Sequence, residues 1–476
     1  MGYFWPMRSP CEWPARQLVA AVAGGDISAV EVVHAHLDRI AALDPQLHAF
    51  VDVDAERALA AARSQDDAAA SGQGRGPLGG VPVTVKSAIE VAGLRCETGS
   101  PSRRGVLAAS DAVVVARLRA AGAIVLGTTN VAEMLMGYET VNPLHGRTAN
   151  PWDLARTPGG SSGGESAAIA AGCSAAGIGS DGGGSIRVPA HFTGICGLKP
   201  TPGRIPSTGH QPACLGPFSL IGVVGPMART VGDLDLLYRV TAGWDPVDPL
   251  ATPLAADVGI GDGDDWCVGW FDSHPAVPVS RETAATVQAA VAGLAAQGVA
   301  VEPWSPAVLD PATGLWYVFF CEVGGQLLAS VLGASARDLP ILAAYANEAP
   351  ERPALSAARL TDAWIERDLA RAAVLEAMTR HRVLVCPVTS TPAFGHDERR
   401  WDVDGRSVGY LEAMRFTQWF NVLGLPAVVV PAGRSAEGLP IGVQVVGRPF
   451  EETRVLAVAA RIEAACGGYR PPPAGR

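Results

Sequence analysis

Two serines set among glycines are the residues of this chain best equipped for chemistry. The segment from Thr157 to Ala190 reads TPGGSSGGESAAIAAGCSAAGIGSDGGGSIRVPA and carries Ser161 and Ser185. A nucleophilic serine needs a base, an accessible Oγ and backbone N–H groups aimed at the developing oxyanion. The run Asp181-Gly182-Gly183-Gly184-Ser185 suits that need, because glycine lets backbone approach a substrate closely and successive N–H groups can curve into an anion-binding nest. A plain Gly-rich turn between a strand and a helix fits the same composition. Lys86, closing VPVTVK, reads when taken alone as an ordinary solvated lysine. Two other motifs fail on context. Gly159-Gly160-Ser161-Ser162-Gly163 matches G-x-S-x-G, but ARTP before it is a poor strand and His274, His381 and His396 sit in no telling motif. Gly177-x-Gly179-x-x-Gly182 matches a dinucleotide fingerprint, but Pro189 interrupts the next segment and position 199 is Lys rather than an acid.

The elements that must position these residues read as an α/β fold. Ser28-Ala29-Val30-Glu31 is a capping box opening a helix through Val32, Val33, Leu37 and Ile40. VPVTVK and AIVLG are strand-like, with a helix near Asp111 to Ala121 between them. Later come the strand CVGW, a helix from about Arg281, a long helical stretch from Ala354 to Arg380, the buried strands VLVCPV, PAVVVPAG and PIGVQVVG, and a final helix after Glu451. The alternation predicts a large central mixed, mainly parallel β-sheet covered by helices on both faces. We expect one domain over 1–476, with a helical N-terminal segment to about 75, a core at about 76–235 and a more variable helical section at about 245–380. The acidic, turn-rich stretch 244–266 reads as a surface excursion.

Composition narrows the function. The 476 residues carry a net charge of −10, which disfavours nucleic acid and anionic membranes as partners. The nine cysteines are odd in number and widely spaced, with no C-x-x-C, as in a reducing compartment. The N-terminus lacks a signal-peptide pattern, and the longest apolar run, Ala167 to Gly179, is too short to span a bilayer. A cytoplasmic location follows as the expectation. Neither H-E-x-x-H nor clustered Cys/His ligands occur, so no metal and no organic cofactor are expected.

With these motifs read together, the chain closely resembles the amidase signature family of hydrolases. The resemblance is densest from Gly79 to Thr201: GGVPVTVKSAIEVAG, GTTNVAEM, ANPWD, PGGSSGGESAA, GSDGGGSIRVPA and GICGLKPTPGR. It extends to NVLGLPAVVVPAG and GLPIGVQVVG, and the family's spacing is kept, 75 residues from Lys86 to Ser161 and 24 from Ser161 to Ser185. The resemblance implies Ser185 as acylating nucleophile, Ser161 as a proton relay following a cis peptide bond, and Lys86 as general base. It implies N–H groups of Gly182, Gly183, Gly184 and Ser185 as the oxyanion hole, with Asp181, Ser162 and Arg187 supporting the loop. Gly182 departs from the commoner Thr or Ile. A buried Lys86 has the required physics, since desolvation penalises its cation and frees a lone pair near neutral pH.

Substrate is read less directly. Leu135, Met136 and Tyr138 lie where the family lines its acyl pocket, and Trp316, Tyr317, Phe319, Phe320, Phe416, Trp419 and Phe420 are further wall candidates that plain core packing explains as well. The expectation is a small-molecule substrate, a hydrophobic or aryl amide, with esters and carbamates as side substrates and a homodimer as the possible assembly. Two rivals stand beside it. One is the glutamine-hydrolysing subunit of a tRNA-dependent amidotransferase, weakened by Val188 where such subunits typically carry Gln. The other is a non-catalytic binding protein retaining the fold.

Overall fold

The computed structural model describes residues 9–253, 267–332 and 355–473. Residues 1–8, most of the acidic stretch 244–266 and the start of the long helix expected from Ala354 lie outside them.

Among the described residues fifteen strands run in chain order: β1 (Phe50–Val53), β2 (Pro82–Lys86), β3 (Ile124–Thr129), β4 (Val141–Asn142), β5 (Gly146–Arg147), β6 (Ala176–Asp181), β7 (Cys196–Lys199), β8 (Val223–Ala228), β9 (Val268–Trp270), β10 (Val301–Pro303), β11 (Val383–Pro387), β12 (Arg400–Val403), β13 (Arg406–Gly409), β14 (Ala427–Arg434) and β15 (Pro440–Gly447). Eleven of them form one sheet in the order β1-β3-β2-β6-β8-β7-β14-β15-β11-β9-β10. The sheet is mixed. Its parallel pairing is gathered in two blocks, β3-β2-β6 and β11-β9-β10. Between them the pairs β6/β8, β7/β8, β7/β14, β14/β15 and β11/β15 are antiparallel. For β14 and β15 the reason is connection length: the short turn between them permits only a hairpin, whereas parallel neighbours need a crossover.

The expected local signals are in place. Ser28 caps the helix Ala29–Leu47, its Oγ accepting from the Glu31 N–H at 3.1 Å while the Glu31 carboxylate accepts from the Ser28 N–H at 2.8 Å. The apolar run Ala167 to Gly179 divides into the end of the helix Gly163–Ala170 and the start of β6. Strands β2, β6 and β11 are buried along their whole length, which is why β11 reads as a continuous apolar run. Helices Ala29–Leu47, Arg281–Ala296 and Glu452–Cys466 bury their apolar faces in the core with Val83, Val85, Val428, Val443 and Val445. Among the described residues no helix is long and apolar enough to cross a membrane.

Candidate active site

The site forms where β2 and β6 end side by side. These neighbours are parallel, with Val83 opposite Ala176 and Val85 opposite Ile178, so Lys86 and Ser180-Asp181 emerge at the same edge of the sheet. The carboxyl ends of such strands are the usual place for a ligand in α/β folds. Lys86 is fully buried. Its Nζ lies 2.8 Å from Ser161 Oγ, 3.0 Å from Ser180 Oγ and 3.3 Å from the Ser180 carbonyl oxygen. Burial brings its pKa down from 10.5 to about 7, with Asp181 and Glu165 acting in the opposite sense.

Ser161 stands before the helix Gly163–Ala170, and the Gly160–Ser161 peptide bond is cis. Ser162 ties this turn to the second serine segment: its N–H donates to the Ser185 carbonyl at 3.2 Å, and its Oγ donates to the Ser180 carbonyl at 3.3 Å. Ser185 is 7% exposed, enough for its hydroxyl to reach a cavity that Ser161 also lines.

Asp181 organises the glycine loop. Its carboxylate accepts from the Gly184 N–H at 2.8 Å, the Ile186 N–H at 3.1 Å and the Arg187 guanidinium at 3.0 Å. Burial alone would raise its pKa, but Arg187 outweighs this and holds the carboxyl well below the usual range. Arg187, itself fully buried, also donates to Gln444 Oε1 at 2.6 Å and to Asn421 Oδ1. Carbonyls along the loop point away from the cavity. That of Gly182 accepts from Trp316 Nε1 at 3.0 Å, and that of Gly183 from Thr417 Oγ1 at 2.6 Å and Tyr138 Oη at 3.0 Å. A trans peptide sets its N–H opposite its carbonyl. The Asp181 carbonyl is likewise held by Asn421 Nδ2. Gly182 and Gly183 therefore have N–H groups turned from these anchors.

Two expectations are corrected here. The Gly184 N–H is not available to an oxyanion, because it is spent on Asp181. Gly184 serves by conformation instead: its φ is +129°, and a Cβ there would come within 2.5 Å of Thr417 Oγ1. Tyr138 is not on the cavity wall; its ring packs edge-on against Tyr410 and its hydroxyl is used on Gly183. Leu135 and Met136 do line the cavity, as does Phe320 alone of the wall aromatics suggested by sequence. The glycine at position 182 has a reason as well, since a Cβ there would lie 2.9 Å from the Phe320 ring.

The cavity, of about 220 Å³, is walled largely by Met134, Leu135, Met136, Phe218, Val223, Phe320 and Leu328. Asp181 is the one charged residue among its described lining residues, and it is committed to Arg187. Sequence reasoning missed Asn421, Gln444, Ser180, Glu165 and His210. Asn421 and Gln444 did leave a signal, as amides within the apolar stretches WFNVLG and PIGVQVVG. Glu165 lies beneath the lysine strand: its carboxyl accepts from Thr129 Oγ1 at 2.8 Å and from Thr84 Oγ1, and burial pushes its pKa up to about 8. Among the described residues Cys267, Glu302 and His381 form one cluster with metal-like spacing. Its carboxylate already holds Arg380 and His381, which leaves a cation little to gain.

The arrangement sets the Ser161 hydroxyl against a buried amine, beside a cavity that Ser161 and Ser185 both line. The chain is similar to known proteins over nearly its whole length. The family model described as Amidase matches residues 31–456. A glutamyl-tRNA(Gln) amidotransferase subunit of Anaeromyxobacter sp. (strain K) is 35% identical over 503 aligned positions, covering 98% of this chain and 99% of that one. The indoleacetamide hydrolase of Bradyrhizobium diazoefficiens is 35% identical over 466, covering 96% and 87%. Among solved structures, a bacterial aryl acylamidase of the amidase signature family superposes with a TM-score of 0.83 at 25% identity, covering 95% and 96%. The chain belongs to the amidase signature family, whose members are hydrolases of C–N bonds.

Proposed function

We propose that the chain hydrolyses a carboxylic amide through an acyl-enzyme on Ser185. The observation that carries this reading is the 2.8 Å contact between the buried Lys86 amine and Ser161, beside the cavity that Ser185 reaches. Neutral Lys86 takes the Ser161 proton as Ser161 takes that of Ser185, and Ser185 Oγ bonds to the carbonyl carbon. The carbonyl oxygen becomes an oxyanion held by the N–H groups of Gly182, Gly183 and Ser185. The proton returns through Ser161 to the leaving nitrogen, the C–N bond breaks and the amine departs. Water then attacks the ester by the same relay and frees the acid.

For the acyl group we infer a hydrophobic or aryl chain. The support is the apolar wall, with no Lys or Arg among its described residues to meet a carboxylate. The likeness to an indoleacetamide hydrolase and an aryl acylamidase points the same way. A second reading, the glutamine-hydrolysing subunit of a tRNA-dependent amidotransferase, has the stronger support from sequence likeness. Glutamyl-tRNA(Gln) amidotransferase subunits recur among the relatives at 35–36% identity over almost the whole of both chains. The purified chain is to be assayed alone, and with a tRNA-dependent amidotransferase's partner subunits, on glutamine and on aryl amides. The apolar-acyl reading predicts kcat/KM at least about 100-fold higher for the aryl amide, the discrimination expected when a buried charge finds no partner. A preference for glutamine would replace it with the amidotransferase reading. Hydrolysis of neither, with Ser185 unreactive, would leave a binding protein.

A further inference from the structure

The neutral Lys86 amine has two hydrogens and one lone pair, yet three partners. The Ser180 carbonyl oxygen at 3.3 Å can only accept. Ser180 Oγ at 3.0 Å and Ser161 Oγ at 2.8 Å can each accept or donate. One of the two hydroxyls must therefore donate to the lone pair. If Ser180 does so, Ser161 accepts from lysine and cannot give it a proton. Something has to break this tie.

His210 does. Its Nδ1 lies 2.9 Å from the Pro212 carbonyl oxygen, which can only accept, so Nδ1 carries the ring hydrogen. Cys214 Sγ is a more distant neighbour of the same nitrogen, at 3.6 Å. Nε2 is then an acceptor, and it lies 2.9 Å from Ser180 Oγ. The single Ser180 hydrogen goes to His210, and the Ser180 lone pairs face Lys86. The loop that presents the ring is fastened just past β2: the Gln211 N–H donates to the Ala88 carbonyl at 2.7 Å and the Glu90 N–H to the Gly209 carbonyl at 2.9 Å. The imidazole is buried, which pushes its pKa down to about 4 and keeps the ring neutral at working pH.

We propose that His210 is a positioning residue of the proton relay: by accepting the Ser180 hydroxyl hydrogen on Nε2, it leaves Ser161 as the hydroxyl that donates to Lys86. The proposal rests on the reading of Lys86 as the base.

The test is a set of single-turnover acylation rates, with steady-state kcat and KM, on one aryl amide for wild type, His210→Leu, His210→Gln, Ser180→Ala, Ser180→Ala/His210→Leu and Lys86→Met. His210→Leu should lower kcat by about tenfold or more and change KM by less than about twofold, the pattern of an interaction that acts on the chemical step. His210→Gln, whose Oε1 can accept near the place of Nε2, should recover most of the loss. With the Ser180 hydroxyl removed there is nothing left to misorient, so His210→Leu should cost less than about twofold further. An equal cost with and without that hydroxyl would overturn the proposal, as would a rise in KM with kcat unchanged, the mark of a plain cavity wall. Should His210→Leu not fold, His210→Phe, which keeps the ring shape without an acceptor, takes its place. Lys86→Met separates the two levels. If it is inactive while His210→Leu is as fast as wild type, only the role of His210 fails; if it acylates at the wild-type rate, the relay fails and this proposal with it.

Discussion

Replacing Lys86 probes the base through both charge and pH. An ordinary lysine near pKa 10.4 is neutral in only about 0.04% of molecules at pH 7. Burial brings Lys86 to about 7, so close to half the molecules carry a free lone pair at that pH, a gain of roughly a thousandfold. The sign follows directly. Below about 7 the amine is protonated and cannot accept, so single-turnover acylation should rise about tenfold per pH unit and level off above about 8. Glu165, itself pushed up by burial, and Asp181 act in the opposite sense on Lys86 and favour its protonated form. Because the groups interact, the midpoint belongs to the site rather than to one residue. Lys86→Met should lose about 100- to 10,000-fold in acylation rate at pH 8, the range for losing a general base. Lys86→Arg should do no better, since guanidinium stays protonated. The assay is stopped-flow release of a chromogenic amine from pH 5 to 9. A flat profile, or wild-type rates in Lys86→Arg, would refute a neutral amine as base.

Further outcomes follow from the same geometry. Asp181→Asn leaves the buried Arg187 without its counter-charge, so urea unfolding should show a loss of about 3–5 kcal/mol; a loss below about 1 kcal/mol would mean Gln444 and Asn421 suffice. Tyr138→Phe removes a hydroxyl from the Gly183 carbonyl without touching the cavity wall, so kcat should fall by roughly fivefold with the ranking of acyl groups unchanged; a changed ranking would put Tyr138 back in the pocket. Phe320→Ala should raise kcat/KM for bulky acyl groups relative to acetyl by about 10- to 200-fold, and an unchanged ratio would remove Phe320 from the acyl path.

Much of the site was legible because its parts are local. Lys86 closes a strand, the two serines sit in Gly-rich turns, and Asp181 reaches Arg187 six residues on. Spacing carries such information, and so does the capping box at Ser28. What sequence hid is set by long-range closure. Asn421 and Gln444 reach Asp181 and Arg187 across more than 230 residues. The fate of the Gly184 N–H depends on which way one peptide plane turns. Tyr138 was misplaced because an aromatic beside a pocket-lining segment has two directions to face, and only the packing against Tyr410 decides between them. His210 was invisible for a similar reason: a lone histidine in a loop gains meaning only when its loop is fastened beside β2.

The central claim, that Ser185 carries the acyl group, is tested most directly by trapping that intermediate. Wild type and Ser185→Ala are mixed with an activated aryl ester, acid-quenched within the turnover time and analysed by intact and peptide mass spectrometry. One acyl mass per chain is expected, mapped to Ser185 in the peptide spanning GGGSIR, with no adduct in Ser185→Ala. An adduct on Ser161, or Ser185→Ala hydrolysing amides at the wild-type rate, would contradict it.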